Sequence, residues 1–229
     1  MKKILVIGGS KGIGYETSRL LANDGHQVHV ISRSLPDQKI DSISYHLHDI
    51  NNANLPTVEG LNGLMFCPGS IRLKPFKMIK PSDMMEEMQL NFFSLVRCLH
   101  FYLPYFDTAQ LGSIVMFSTV AVQTGMPFHT SIAAAKGAIE GFSRSLAAEV
   151  APGIRVNVIA PSLTNTPLAA SLINADAKLK AATERHPLKQ IGSSADIASM
   201  AKFLLSNEST FITGQVIKID GGIGSIKLL

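Results

Sequence analysis

Tryptophan is absent from this chain of 229 residues, tyrosine occurs four times and cysteine only twice. Cys67 and Cys98 offer no metal-ligand spacing, so a metal centre and a disulfide framework are both excluded as organising features, and a reduced, cytoplasmic setting is expected. No stretch approaches the ~18 apolar residues that span a bilayer. The opening Met1-Lys2-Lys3 and the apolar run after it are too short for a secretory leader, and that run is needed as a strand. Net charge is +4, but the basic residues are scattered. Lys74, Lys77 and Lys80 come nearest to a cluster, and no stacking aromatics interleave with them, so neither nucleic acid nor membrane is expected as a partner. Internal repeats, low-complexity tracts and linkers are missing as well. With 46% hydrophobic residues, residues 1–229 are expected to form one well-buried domain with no separate substrate domain.

What the chain does have is a glycine-rich opening. Ile4-Leu5-Val6-Ile7 reads as a buried strand. Gly8-Gly9-Ser10-Lys11-Gly12-Ile13-Gly14 follows at once, and Tyr15 to Asn23 runs with helical periodicity. Strand, glycine turn and helix form a phosphate-holding unit. Gly8 permits the sharp turn, while Gly12 and Gly14 let a pyrophosphate and the next helix approach the backbone. The free N–H groups of the helix start favour the phosphates.

Strands and helices then alternate, which predicts an α/β fold with a doubly wound parallel sheet of about seven strands and helices on both faces. Strands are expected at Gln27 to Ile31, Ser44 to Leu47, Gly63 to Cys67, Ser113 to Ser118, Arg155 to Ala160 and Gln215 to Ile219. Between the third and fourth, residues 51–62 leave room for a helical turn or two at best, so one crossover helix is shortened. Ser82 is placed as the cap of a long helix that Pro104 ends. Ser131 to Ala151 predicts a second long helix, rich in small residues, lying against a neighbour or a second copy. Pro161 to Leu188 reads as a lid with helical segments, and Gly192 to Asp196 starts the last helix.

The glycine turn, Asp49-Ile50 after the third strand, Asn91 within a helix, Gly112-Ser113-Ile114-Val115, Ala133-Ala134-Ala135-Lys136-Gly137, Arg155-Val156-Asn157 with Pro161, and Thr213-Gly214-Gln215 with Asp220-Gly221-Gly222 occur in this order along the chain. In order and spacing they resemble the short-chain dehydrogenase/reductase family, over essentially the whole chain. The resemblance implies a Rossmann-type sheet binding a nicotinamide dinucleotide. The last third hints at acyl-carrier-protein ketoreductases.

An NAD site usually carries a carboxylate at the tip of the second strand. Here the tip is Ser32-Arg33, with no acid before Asp37, and Lys11 adds a second cation in the glycine turn. Two cations suit a 2′-phosphate, so NADP(H) is favoured over NAD(H). The resemblance further implies that Asp49, with Ile50, receives the adenine amino group, that Cys67 and Gly69 stand beside the ribose, and that Pro161, Thr164 and Thr166 grip the carboxamide. Ser162 replaces the usual glycine of that loop, and Phe66-Cys67-Pro68-Gly69 has lost two asparagines.

The match breaks at the catalytic stretch. The family uses a tyrosine to move the proton, a serine thirteen positions before it to polarise the substrate oxygen, and a lysine four positions after it to hold the nicotinamide ribose and lower the tyrosine pKa. Lys136 fills the lysine slot, which puts Ile132 in the tyrosine slot and Thr119 in the serine slot. None of Tyr15, Tyr45, Tyr102 and Tyr105 has a lysine four residues on. Isoleucine has no transferable proton, and that loss is worth ~10²–10⁴ in rate unless another group supplies it. His129, one helical face from Ile132 and Lys136, is a candidate donor, as are Thr119, a water held by Lys136, Tyr102 and Tyr105. Asn91 matches the family's water-holding asparagine.

Two readings stand. The first is an NADP(H)-dependent oxidoreductase of a small carbonyl, alcohol or activated double-bond substrate, with a non-standard proton donor. The second is a catalytically silent NADP(H)-binding protein acting as sensor or assembly partner. A homotetramer or homodimer is expected on family habit and the small-residue helix.

Overall fold

The apolar N-terminal run becomes the middle of a sheet because both of its faces can be buried. Along Lys3–Ile7 (β1), Leu5 and Ile7 join one apolar cluster while Ile4 and Val6 join the other, as the period-2 alternation of a strand requires. The structure, a computed structural model, describes residues 1–227. From β1 the chain runs through Gly12–Asn23 (α1), Gln27–Ser32 (β2), Ile43–Leu47 (β3), Gly63–Phe66 (β4), Pro81–Met88 (α2), Ser94–Tyr102 (α3), Gly112–Phe117 (β5) and Ala121–Thr124 (α4). It continues through Thr130–Val150 (α5), Ile154–Pro161 (β6), Thr164–Asn165 (β7), Asp176–Arg185 (α6), Gly192–Ser193 (β8), Ser194–Leu205 (α7) and Val216–Ile219 (β9).

Seven strands pair in parallel in the order β3-β2-β1-β4-β5-β6-β9. This is the doubly wound α/β sheet expected. Strand order reverses between β1 and β4, so a crevice opens beyond their carboxyl ends, where ligands bind in such sheets. α3 and α5 cover one face through Leu95, Leu99, Tyr102, Ile139 and Leu146. α1 and α7 cover the other through Leu21, Ile197, Ala201, Leu204 and Leu205. Two buried cations brace the opposite edge. Lys2 Nζ donates to the Leu205 carbonyl at 2.8 Å, and Arg155 donates to Ser209 Oγ and the Ser206 carbonyl at 2.9 Å each.

Three expectations are corrected. First, the β3–β4 crossover is not a shortened helix, since residues 51–62 contain no helical turn at all. Leu55, Val58 and Leu61 bury their side chains, and side chains of α3 satisfy the backbone instead of a ladder. Arg97 donates to the carbonyls of Asn51 and Asn52, and Tyr102 Oη donates to that of Pro56 at 2.7 Å. Second, Ser82 does not cap α2. Pro81 takes the first helical position, where its missing N–H costs nothing, and the Asp83 carboxylate accepts from the Lys80 N–H at 3.1 Å. Third, the long helix is not uniform. Between α2 and α3 lies one π-helical turn, Gln89–Phe93, with Asn91 at its centre. Such turns insert an extra residue and re-aim side chains, often at functional sites.

The expected lid is built from a short strand pair, β7 with β8, a 3₁₀ segment at Pro167–Leu172, and α6.

Candidate active site

The glycine turn is held by contact, not only by conformation. Gly8 and Gly12 have φ of +82° and +54°, and a Cβ on Gly14 would overlap the Gly8 carbonyl oxygen. The Gly8 N–H donates to the Ile31 carbonyl at 2.8 Å, fixing the turn to β2. A Cβ placed on Gly12 would lie 3.5 Å from Thr166, so the lid faces the turn across a narrow gap. Ile13 packs against the α1/α7 cluster. An open cleft of about 530 Å³ adjoins the turn, lined by Ser10, Lys11, Gly12, Tyr15, Pro36, Asp37, Gln38 and Pro167. Arg33 is exposed and is not among the lining residues, and Ser32 Oγ is spent on the Ser34 carbonyl at 2.7 Å. Sequence reasoning missed Tyr15, Asp37 and Gln38 as parts of this cleft, because only folding brings the segment after β2 back to α1. Asp49 Oδ1 accepts from the Asn51 N–H at 2.9 Å, and Ile50 is buried in the core.

Deeper in the crevice, α5 supplies the buried stripe Ile132, Ala135, Lys136, Ile139, Glu140 and Ser143 at helical spacing. Ile132 and Lys136, one turn apart, are 5% and 8% exposed. Lys136 Nζ makes no hydrogen bond to protein among the described residues. It faces Gly69, where a Cβ would fall 3.3 Å from Nζ and 3.1 Å from Asn91 Oδ1. Burial pulls the Lys136 ammonium down to about 8, against the opposing pull of the Glu87 carboxylate. Burial also pushes the Cys67 thiol up to about 12, so Cys67 stays protonated and is no nucleophile at neutral pH.

Asn91 sits within a polar knot. Its Nδ2 donates to Ser70 Oγ and to the Glu87 carbonyl at 2.9 Å each, and its Oδ1 accepts from the Ser70 N–H at 3.3 Å. Thr119 is half-buried, and its Oγ1 accepts from the Ala121 N–H at 3.3 Å. The next residue, Val120, donates to the Pro161 carbonyl, which brings the Thr119 loop beside the tip of β6. The neighbouring Ser118 is turned inward, donating to Glu140 Oε1 at 2.6 Å. Thr164 Oγ1 donates to the Ser162 carbonyl, and Thr166 Oγ1 accepts from the Ala169 N–H.

Of the proposed alternative donors, Tyr102 and Tyr105 are corrected outright. The Tyr102 hydroxyl bonds Pro56, and the Tyr105 carbonyl accepts from Leu61, just before β4 begins. Both therefore stand at the amino edge of the sheet, opposite the crevice. His129, at the N-cap of α5, has Nδ1 tied to the Pro127 carbonyl at 2.7 Å, leaving Nε2 available. Two groups that sequence reasoning left out belong to the neighbourhood: Glu87, buried beside Asn91, and His186, whose Nε2 lies 2.9 Å from Ser162 Oγ.

Residues 46–224 match a family model described as enoyl-(acyl carrier protein) reductase. The chain belongs to the short-chain dehydrogenase/reductase family. It is 30% identical to the glucose 1-dehydrogenase of Gluconobacter oxydans, over 97% of this chain and 91% of that protein. The aldohexose dehydrogenase of Thermoplasma acidophilum, in ligand-free form, superposes with a TM-score of 0.89 at 23% identity, covering 100% of this chain and 96% of the other. ElxO with NADP bound superposes with a TM-score of 0.86 at 24% identity, over 99% of this chain and 100% of the other. These likenesses make the chain a member of an oxidoreductase family, and the two structural ones carry the fold. Among the described residues no helix is long and apolar enough to cross a membrane.

Proposed function

We propose that the protein is an NADP(H)-dependent oxidoreductase of a small carbonyl, alcohol or activated double-bond substrate, in which the proton passes through Lys136 and not through a tyrosine hydroxyl. The observation that carries this reading is the buried Lys136 ammonium, facing Gly69 and Asn91 at the carboxyl edge of the sheet. Burial brings its pKa to about 8, close to the range where a general acid works best.

The residues present fit a dinucleotide. The glycine turn has the positive φ values and the bare Cα atoms that a diphosphate needs, and the gap between Gly12 and Thr166 is where it would thread. Lys11 would meet a 2′-phosphate in the adjoining cleft, as the NADP-bound relative ElxO makes plausible by fold. Asp37 faces the same cleft, so the preference rests on Lys11 outweighing it. Thr164 and Thr166 would hold the carboxamide end, and Asp49 the adenine end. Bound there, the nicotinamide supplies or takes the hydride.

The chain's own residues do the rest. Lys136 holds the proton, Thr119 orients the substrate oxygen, and Asn91 fixes a water between Lys136 and the loop at Gly69. Ile132 shields the site from bulk water where a tyrosine would stand. Assembly with a second copy of the chain is part of the same proposal. Gly141 and Ala134 are exposed on α5, and a Cβ on Gly141 would meet nothing within 4 Å among the described residues.

The test is NADPH consumption against a panel of ketones and enones, with binding measured separately by calorimetry. Turnover that Lys136→Met abolishes, with NADPH still bound, supports the reading. The isoleucine favours one alternative, a silent NADP(H)-binding protein, and tight binding without turnover on any substrate would establish it.

A further inference from the structure

We propose that Glu87 is the proton-exchange residue of this site, passing protons between solvent and Lys136 by way of the Ser70 hydroxyl. This rests on the reading above that Lys136 supplies the proton.

Glu87 is only 2% exposed, although it carries a carboxylate. Burying such a group is costly unless it is paired and hydrogen-bonded. Its pairing is incomplete. Ser70 Oγ lies 3.0 Å from both carboxylate oxygens, and Asn91 Nδ2 is 3.4 Å from Oε2. The nearest cation on the surface side, Arg72, keeps its Nε at 3.7 Å and commits its two terminal nitrogens to Asp83 at 2.7 Å and Glu86 at 2.9 Å. A fixed ion pair would have drawn the guanidinium onto Glu87 in the two-pronged arrangement that Arg and carboxylate favour. Accepting capacity is left over instead, as a group that gains and loses a proton requires.

Its position joins two compartments. Outward, Glu87, Ser70 and Arg72 line an open cleft of about 1010 Å³ together with Met84 and Met88. Inward, Ser70 is bonded to Asn91, and Asn91 Oδ1 and Lys136 Nζ bracket the space over the bare Cα of Gly69. The charged groups facing Glu87 are Arg72 from the loop before α2 and Lys136 from α5. Asp83 and Glu86, on its own helix, are held by Arg72, and Lys74 pairs with Asp83. The negative charge of Glu87 raises the Lys136 pKa against burial, so the two groups are coupled.

During carbonyl reduction, Lys136 breaks an N–H bond as the product O–H forms. The neutral amine takes a proton across the space over Gly69, through one water. That water is resupplied by the Ser70 hydroxyl, which at once receives a proton that the Glu87 carboxylate takes from solvent in the outer cleft. Glu87 is left as the carboxylate it was at the start. One proton moves from solvent to product, and the path reverses for alcohol oxidation.

The experiment compares wild type with Glu87→Gln and Glu87→Asp. Competitive amine labelling of Lys136, read by mass spectrometry across neutral and alkaline pH, needs neither coenzyme nor turnover. Glu87→Gln is expected to move the labelling midpoint to lower pH, so that Lys136 labels roughly two- to tenfold faster near neutrality. It is also expected to lower kcat on the order of tenfold, with an enlarged solvent deuterium effect and unchanged NADPH binding. Glu87→Asp should restore part of both. Loss of packing alone would lower the melting temperature and leave the midpoint where it was. A folded Glu87→Gln protein with an unmoved midpoint overturns the proposal, as does an unchanged kcat. Should wild type turn over no substrate, the function proposed above fails, while the labelling arm still decides the coupling of Glu87 to Lys136.

Discussion

Ser162 Oγ and His186 Nε2 lie 2.9 Å apart, and His186 Nδ1 is 2.8 Å from the Ala182 carbonyl. A carbonyl only accepts, so Nδ1 carries the proton and Nε2 accepts from the serine. The pair fastens the lid, through the end of α6, to the tip of β6. Ser162→Gly removes that fastening and is expected to cost about 1 kcal/mol. Limited proteolysis should then cut faster between residues 167 and 188, while the global melting temperature falls only slightly.

Ile132→Tyr places a hydroxyl one helical turn before Lys136. If Lys136 has been working without one, the variant is expected to gain between ~10²- and 10⁴-fold in kcat, read with the same ketone panel. Isoleucine and tyrosine differ in volume, so some loss of stability is expected to accompany the gain. An unchanged rate would show that the proton path bypasses this position.

Lys136 titrates near 8 in the folded chain, well below the ordinary lysine value of 10.5. The unfolded chain therefore binds more protons between those two values, and stability rises with pH across that window. Lys136→Met removes the buried charge at similar volume. It is expected to be more stable than wild type at neutral pH, with the difference shrinking as pH rises from about 8 toward 10.5. Urea denaturation at several pH values measures this. A carbonyl-reducing rate that needs the ammonium should hold below about 8 and fall above it.

Coenzyme choice is carried by Lys11 against Asp37 in one cleft. Lys11→Ala is expected to weaken NADPH binding roughly tenfold, the worth of one charge-assisted contact, and to leave NADH binding nearly unchanged. Asp37→Asn should strengthen NADPH binding and raise its salt sensitivity, because the positive charge of Lys11 is then no longer offset. Calorimetric titration with both coenzymes separates these outcomes.

The strands and the glycine turn were legible because both are local patterns: Ile4 to Ile7 alternate between two faces, and Gly14 stands where no Cβ fits. The lysine was legible as well, from the Ala133-Ala134-Ala135-Lys136-Gly137 run that carries the family resemblance. Glu87 was not read as a site residue, since an acid in the first turns of a helix is explained by the helix dipole. The available signal was its place four residues before Asn91. Tyr102 could have been discarded from the sequence, because eleven residues of helix carry it roughly 16 Å from Asn91. Ser162 and His186 left no local trace. Their meeting depends on how the lid closes over β6, and Asp37 reaches the Lys11 cleft by the same kind of long-range return.

Because Arg97 and Tyr102 tether the helix-free crossover, α3 governs two distant places at once. Its N-terminal end continues from the π turn around Asn91, and its flank and far end clasp the carbonyls of Asn51, Asn52 and Pro56. A rotation of this rod about its own axis would release the strap and re-aim the amide in a single movement. Proteolytic cutting within residues 51–58 thus becomes a gauge, readable from outside, of how firmly the catalytic crevice is set.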